Sequence, residues 1–101
     1  MARGNEPLGD IATTVLFEND RVKMWNLVVD PGQSSDWHLH GRDYITVVVE
    51  GDGLTVEYED GTKDDSPAVI GKWTYHGEHK VHRVHNDRKT RYKNVLIELK
   101  Q

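Results

Sequence analysis

Turn-forming residues divide this chain into runs too short to hold helices. From Thr13 onward the breaks are Glu18-Asn19-Asp20, Pro31-Gly32, Gly51-Asp52-Gly53, Asp60-Gly61, Gly77-Glu78 and Asn86-Asp87. Each contains a residue that tolerates positive φ or closes a turn with its own side chain. Between them lie Thr13–Phe17, Arg21–Val29, Trp37–His40, Asp43–Glu50, Leu54–Glu59, Ala68–Ile70, Trp73–Tyr75, Lys80–His85 and Arg91–Lys100. These runs are rich in Val, Ile, Leu, Thr, Tyr and Trp, the residues that fit a pleated surface. No window of helical length carries the apolar period of a helix. Short strands with turns at this spacing specify an all-β sandwich or barrel with little or no helix. Residues 1–10, with two Gly, one Pro and mixed charge, read as a flexible leader, and 11–101 as a single domain.

Alternation assigns faces to several runs. Leu54, Val56 and Tyr58 share one side of their strand, and Asp60-Gly61 after them is a hairpin signal. In Arg91–Lys100, Val95, Ile97 and Leu99 are expected to face the core, with Asn94 and Glu98 facing away. Asp43–Glu50 differs, because Tyr44, Thr46 and Val48 lie on one side and Ile45, Val47 and Val49 on the other. Both faces are largely apolar, so both need cover, from another strand layer or from a second subunit. A homodimer is the expected assembly.

Composition narrows the function classes. The chain has 101 residues, 13 basic and 17 acidic side chains, no Cys, and six His. Without Cys there is no disulfide, no thiolate zinc site and no Cys nucleophile. A net charge of −4 argues against neutralising nucleic-acid phosphates. No apolar stretch is long enough to span a membrane, and Met1 to Asp10 lack the pattern of a signal peptide, so a cytoplasmic setting is expected. The patch Glu57, Glu59, Asp60, Asp64 and Asp65 lacks a calcium-loop spacing and reads as solvated. The basic cluster Arg88, Lys89, Arg91 and Lys93 reads the same way. No G-x-S-x-G elbow, P-loop or dinucleotide fingerprint is present.

Histidine is the compositional anomaly, and its spacing is informative. His38 and His40 stand two apart in a run that reads as strand. That spacing puts both imidazoles on one face, about 6–7 Å apart at Cα and able to reach one metal. His82 is the natural third ligand if its strand pairs beside the first. His85 has the opposite parity and points away with Arg83, while His76 and His79 fall where they could line a mouth. Trp25, Trp37 and Trp73 are either pocket walls or core.

These residues carry a resemblance. Gly32, five residues, His38, one residue and His40 resemble the opening of the first cupin motif, and Gly51 occupies its closing glycine. In the second motif Gly71, His82 and Asn86 fall in register, while Gly77 and His79 stand where the family has Pro and Gly. The chain is similar to small single-domain bacterial cupins of the cupin 2 type, and in particular to the group labelled beta-alanine degradation proteins. The resemblance implies a double-stranded β-helix, a jelly-roll barrel, holding a mononuclear metal and a small-molecule ligand.

The acidic position of the first motif holds Tyr44, and in the family that residue is usually a ligand. Its loss leaves His38, His40 and His82, a set that resembles the sites of thiol dioxygenases and some diketone-cleaving cupins. A divalent transition metal is implied, Fe(II) first, with Ni, Zn, Mn or Cu as alternatives. Three neutral imidazoles leave its charge intact, which favours an anionic substrate. Tyr44 is the candidate catalytic residue: it could ligate as a phenolate, hydrogen-bond substrate, move a proton, or line the barrel. A dioxygenase-like metalloenzyme acting on a small organic anion is the expected function; a non-catalytic module that holds a metal or small ligand is the alternative.

Overall fold

The computed structural model describes residues 7–100. Its elements are β1 (Thr14–Glu18), β2 (Val22–Val29), β3 (Tyr44–Glu50), β4 (Gly53–Tyr58), β5 (Lys63–Pro67), β6 (Trp73–His76), β7 (His82–His85) and β8 (Tyr92–Leu99). No helix occurs among the described residues. All strand pairs are antiparallel, in a five-stranded sheet of order β1-β2-β8-β3-β6 facing a three-stranded sheet of order β5-β4-β7. The all-β expectation holds, and the turn residues sit where their conformations are needed. Gly51, between β3 and β4, has φ +105°, and a Cβ there would stand 2.6 Å from the Arg91 carbonyl oxygen. Asp60-Gly61 closes the β4–β5 hairpin, with Gly61 N–H donating to the Tyr58 carbonyl.

The buried core, Ala12, Leu27, Val29, Val48, Leu54, Val84 and Tyr92, lies between the two sheets. Leu54, Val56 and Tyr58 of β4 face inward as expected, as do Tyr44, Thr46 and Val48 of β3. The faces of β8 are the reverse of the expectation: Tyr92, Asn94, Leu96 and Glu98 are buried, and Val95, Ile97 and Leu99 face outward, half-buried. Some of the inner polar groups find partners there: Glu98 accepts from Trp25 Nε1 at 2.6 Å and Asn94 Nδ2 donates to the Tyr92 hydroxyl at 3.0 Å. Polarity therefore does not mark the solvent side of this strand.

Two runs expected as strands are not. Trp37–His40 is an irregular segment joined to β7 by a single bridge, His38 to His82. Ala68–Ile70 is a loop, and the strand beside it is the polar Lys63–Pro67, exposed along its length on a sheet edge. Trp73 is neither core nor pocket wall; it is 69% exposed on the outer face of β6. Trp37 is buried beneath the Arg83 guanidinium, 4.6 Å from its ring, and Trp25 packs against the core. Of the expected leader, residues 1–6 lie outside the described residues, while Gly9 N–H donates to the Trp37 carbonyl at 2.7 Å.

Candidate metal centre

A cavity of about 480 Å³ lies between the sheets. His38, His40 and His82 line it, and one ring nitrogen from each falls within 4.8 Å of the others. The short bridge between His38 and His82 does what a regular strand pair would have done. His38 N–H donates to the His82 carbonyl at 2.9 Å and His82 N–H returns the bond at 3.0 Å. His40, two residues on, points into the same space, its ring centroid 5.0 Å from that of His38 and 5.4 Å from that of His82.

Hydrogen bonding sets the tautomers. His38 Nδ1 lies 2.8 Å from the Asp36 carbonyl oxygen, and His82 Nδ1 lies 3.0 Å from that of Lys80. A carbonyl oxygen only accepts, so both Nδ1 atoms carry the proton and, in the neutral rings, both Nε2 atoms are bare. These two Nε2 atoms face each other at 3.1 Å. Two lone pairs at that distance repel unless a cation lies between the rings. His40 Nδ1 is buried without a partner, an orphaned polar atom of the kind a ligand would satisfy. Carbonyls that orient ligating imidazoles through the other nitrogen are the usual outer support of a metal site. The donor set fits a divalent transition metal.

Burial keeps the three rings ready to ligate. It pushes His40 down to about 3 and His82 to about 4, with the neighbouring His38 adding to both, and it lowers His38 as well. All three are therefore neutral near pH 7. Tyr44 stacks on His40 with ring centroids 3.8 Å apart, and His76 stacks on its other face at 4.4 Å. Burial raises the Tyr44 phenol above its ordinary value, so it stays protonated, and its hydroxyl has no protein partner among the described residues.

Of the two histidines expected at the mouth, His76 alone is among the described cavity-lining residues. His76 lines the cavity and shares a 2.9 Å hydrogen bond with Thr46 Oγ1. His79 lies outside the cavity lining, its Nε2 3.1 Å from Asp43 Oδ1, and Asp43 also accepts from the Tyr75 hydroxyl. His85 lies outside the triad, 2.6 Å from Ser34 Oγ. Asn86, in register with the second motif, is structural: its Nδ2 donates to the carbonyls of Val29 and Thr90, and its Oδ1 caps Arg88 N–H. The charged clusters stay on the surface, where Arg88 pairs with Asp65 and Asp87, Arg91 with Glu50, and Arg83 with Glu57. Among the cavity residues given no site role by the sequence are Tyr58, Lys72, Tyr92 and Asn94. The signal that could have found Asn94 is its alternation with Tyr92 and Leu96 on one side of β8.

No protein-family model and no curated protein matches the chain. Solved structures do. An archaeal RmlC-like cupin with a double-stranded β-helix fold, from Methanocaldococcus jannaschii, aligns over 95% of this chain and 84% of its own at TM-score 0.71 and 12% identity. A sugar phosphate isomerase of the cupin superfamily from Silicibacter pomeroyi aligns over 80% of this chain and 52% of its own at TM-score 0.58 and 18% identity. At these identities the likeness is one of fold. A cupin domain from Bordetella pertussis Tohama I is 32% identical, with TM-score 0.80, across 97% of this chain and 100% of its own. With that identity, over nearly its full length, and a triad placed in the barrel between the two motifs' strands, the chain belongs to the cupin family.

Proposed function

We propose that this protein is a metal-dependent cupin, in which His38, His40 and His82 hold a mononuclear divalent transition metal and the cavity receives a small organic anion. Fe(II) is the favoured ion, with Ni, Zn, Mn or Cu as alternatives, and the favoured activity is dioxygenase-like. The observation that carries the reading is the pair of bare Nε2 atoms at 3.1 Å, each left bare because its ring's proton is held on Nδ1, where it is donated to a backbone carbonyl. When bound, the metal supplies Lewis-acid and redox chemistry. The chain supplies the rest. Three neutral imidazoles leave the positive charge of the site uncompensated, and Lys72 and Lys80 line the cavity as further attraction for an anion. Tyr44, wedged between two imidazoles, is the catalytic residue, its phenol donating a hydrogen bond to substrate. Leu96, Val56 and Val84 wall the space beneath and keep water out.

The finer parts of the reading draw on the sequence. They are a single domain over 11–101, likeness to the beta-alanine degradation group of cupin 2 proteins, a cytoplasmic setting, and no nucleic-acid or membrane partner. In the structure, no helix is long and apolar enough to cross a membrane. A second reading, a non-catalytic module holding a metal or small ligand, is favoured by one feature. Glu78, at the rim and paired with Lys80, is the sole carboxylate among the described residues that line the cavity, and the inward Glu98 is engaged by Trp25 Nε1 outside that lining, so no acid is presented to a ligand from the inner wall.

The test is to purify the protein anaerobically, measure bound metal, and follow oxygen uptake with a panel of small acids, thiols and diketones. Stoichiometric metal, lost in His38→Ala, together with uptake on one class of substrate, is the expected result. Metal without uptake leaves the binding module. Absence of metal, with His38→Ala leaving the ligand profile unchanged, would remove the metalloenzyme.

A further inference from the structure

The cavity has a second polar end. On the inner face of β8, Asn94 is 4% exposed and Tyr92 7% exposed, and both line the cavity. Asn94 Nδ2 donates to the Tyr92 hydroxyl at 3.0 Å, but Asn94 Oδ1 is buried with no donor. The hydroxyl's own proton has no acceptor among the described residues. Turning the amide over does not help, because Tyr92 would then donate to Oδ1 and leave the Nδ2 protons unmet. In either orientation buried hydrogen-bonding groups stay unmet, and as placed these are an acceptor without a donor and a donor without an acceptor. An unmet buried polar group costs about 1–3 kcal/mol, so a fold that retains one in its core has a use for it.

The strand register locates this pair relative to the triad. Asn94 stands opposite Leu27 on one side and Val48 on the other. Val48 and Tyr44 both face inward from β3, four positions apart, which is about 13 Å at about 3.3 Å per residue. Tyr44 stacks on His40, so the Tyr92–Asn94 pair lies well down the barrel from the imidazoles. The wall between is mostly apolar, formed by Leu96, Val56, Leu54 and Val84, with Thr46, bonded to His76, and Thr74 as its polar members.

We propose that Tyr92 and Asn94 form a distal subsite that takes a neutral group bearing both a donor and an acceptor, a hydroxyl or a primary carboxamide. That group is the far end of a small organic anion whose carboxylate sits at the triad, with an apolar spacer between the two. The proposal rests on the reading of the triad as a metal centre, and it narrows the substrate class to ω-hydroxy or ω-carbamoyl carboxylates.

Calorimetric titration of the full chain loaded with Ni(II), and of the metal-free chain, provides the test. The probes are straight-chain carboxylates from propionate to octanoate, each unsubstituted, ω-hydroxylated or ω-carbamoylated. At one chain length the hydroxylated or carbamoylated probe is expected to bind about tenfold more tightly than its unsubstituted counterpart. The difference should vanish in Tyr92→Phe/Asn94→Leu. A lack of end-group preference at every length, or a preference that survives the double substitution, overturns the proposal. Unsubstituted carboxylates that bind the loaded chain and not the metal-free chain keep the metal reading intact even then. Failure of every carboxylate to bind either form overturns both.

A ligand-free measurement separates a subsite from a merely structural pair. Replacing both polar partners by apolar groups of similar shape removes an unmet pair, so the metal-free double variant is expected to melt at or above the wild-type temperature. A drop of several degrees would mean that an enclosed water satisfies the pair, and the subsite falls. Asn94→Asp, which keeps the side chain's shape but offers only acceptors, is the second variant. It is expected to shift preference toward ω-amino carboxylates, and an unchanged preference counts against the proposal.

Discussion

His38 and His82 turn bare nitrogens toward each other because each ring keeps its proton on Nδ1, where it is donated to a backbone carbonyl. The consequence is measurable without any metal. In the folded chain burial holds His40 at about 3 and His82 at about 4, whereas in the unfolded chain both return to about 6.5. Below about 6.5 the unfolded chain therefore binds more protons than the folded one, and stability falls with acidification down to about 4 for His82 and about 3 for His40. The metal-free protein is expected to lose melting temperature steadily across that range, and His40→Gln to flatten the slope. Equal slopes in the two proteins would refute this assignment of the shifts. Metal raises the stakes in the same direction, since each imidazole must be neutral to ligate. The triad was legible from H-x-H and one later His because period-two spacing and a cross-strand bridge place side chains without help from packing. Tyr44 was legible as the residue replacing the family's acid. Its place between two imidazoles was not, because stacking depends on His76 arriving from β6.

The glycine that closes the first motif shows how an element's geometry constrains its sequence. Gly51 combines φ +105° with a backbone wall, Arg91 O at 2.6 Å and Tyr92 Cα at 2.8 Å from where a Cβ would stand. Gly61, in the β4–β5 hairpin, has φ +92° and open space around it. Ala at Gly61 therefore meets only the conformational term, about 1–2 kcal/mol. Ala at Gly51 must in addition push β8 away from β3, and a loss of about 3–4 kcal/mol is expected. Denaturant unfolding of the two variants checks this, and equal losses would show that the wall yields. The turns and most strands could be read from sequence because Gly, Pro, Asn and Asp act through local backbone conformation. β5 could not: Lys-Asp-Asp-Ser-Pro has no apolar period because an edge strand exposed along its length buries none of its side chains. β8 misled for the opposite reason. Alternation finds two faces, but which one is inside depends on what the barrel holds, and this barrel lines its inside with Asn94 and Glu98. Trp37–His40 reads as strand because its two histidines alternate, yet a single bridge is enough to hold them.

At the scale of the whole molecule, the outer face of the five-stranded sheet remains to be covered. Register lines up Phe17, Met24, Ile97, Ile45 and Tyr75 in one row that crosses every strand. Val95, Val47 and Trp73 continue it in the next row, whose other members are the polar Asn26 and Thr14. Trp73, Tyr75 and Phe17 are each at least half exposed, which is costly for aromatic side chains in water. Five strands at about 4.8 Å spacing and up to eight residues at about 3.3 Å give a flat area of roughly 600 Å². Side-chain relief brings this near the roughly 800 Å² per partner that a stable dimer buries. The occupant we propose is a second copy of the chain, which brings an identical apolar face and lets both copies cover it at once. This is the cover that the two apolar faces of β3 require, with the cavity on one side and the partner on the other. Light scattering of the wild-type protein at micromolar concentration is expected to give twice the chain mass, and Trp73→Glu to give the mass of one chain. Since Trp73 lies far out on β6, the substitution should leave the triad and its metal content unchanged, which separates loss of assembly from loss of fold. A wild-type monomer under those conditions would leave the outer face to some other partner and end the dimer proposal.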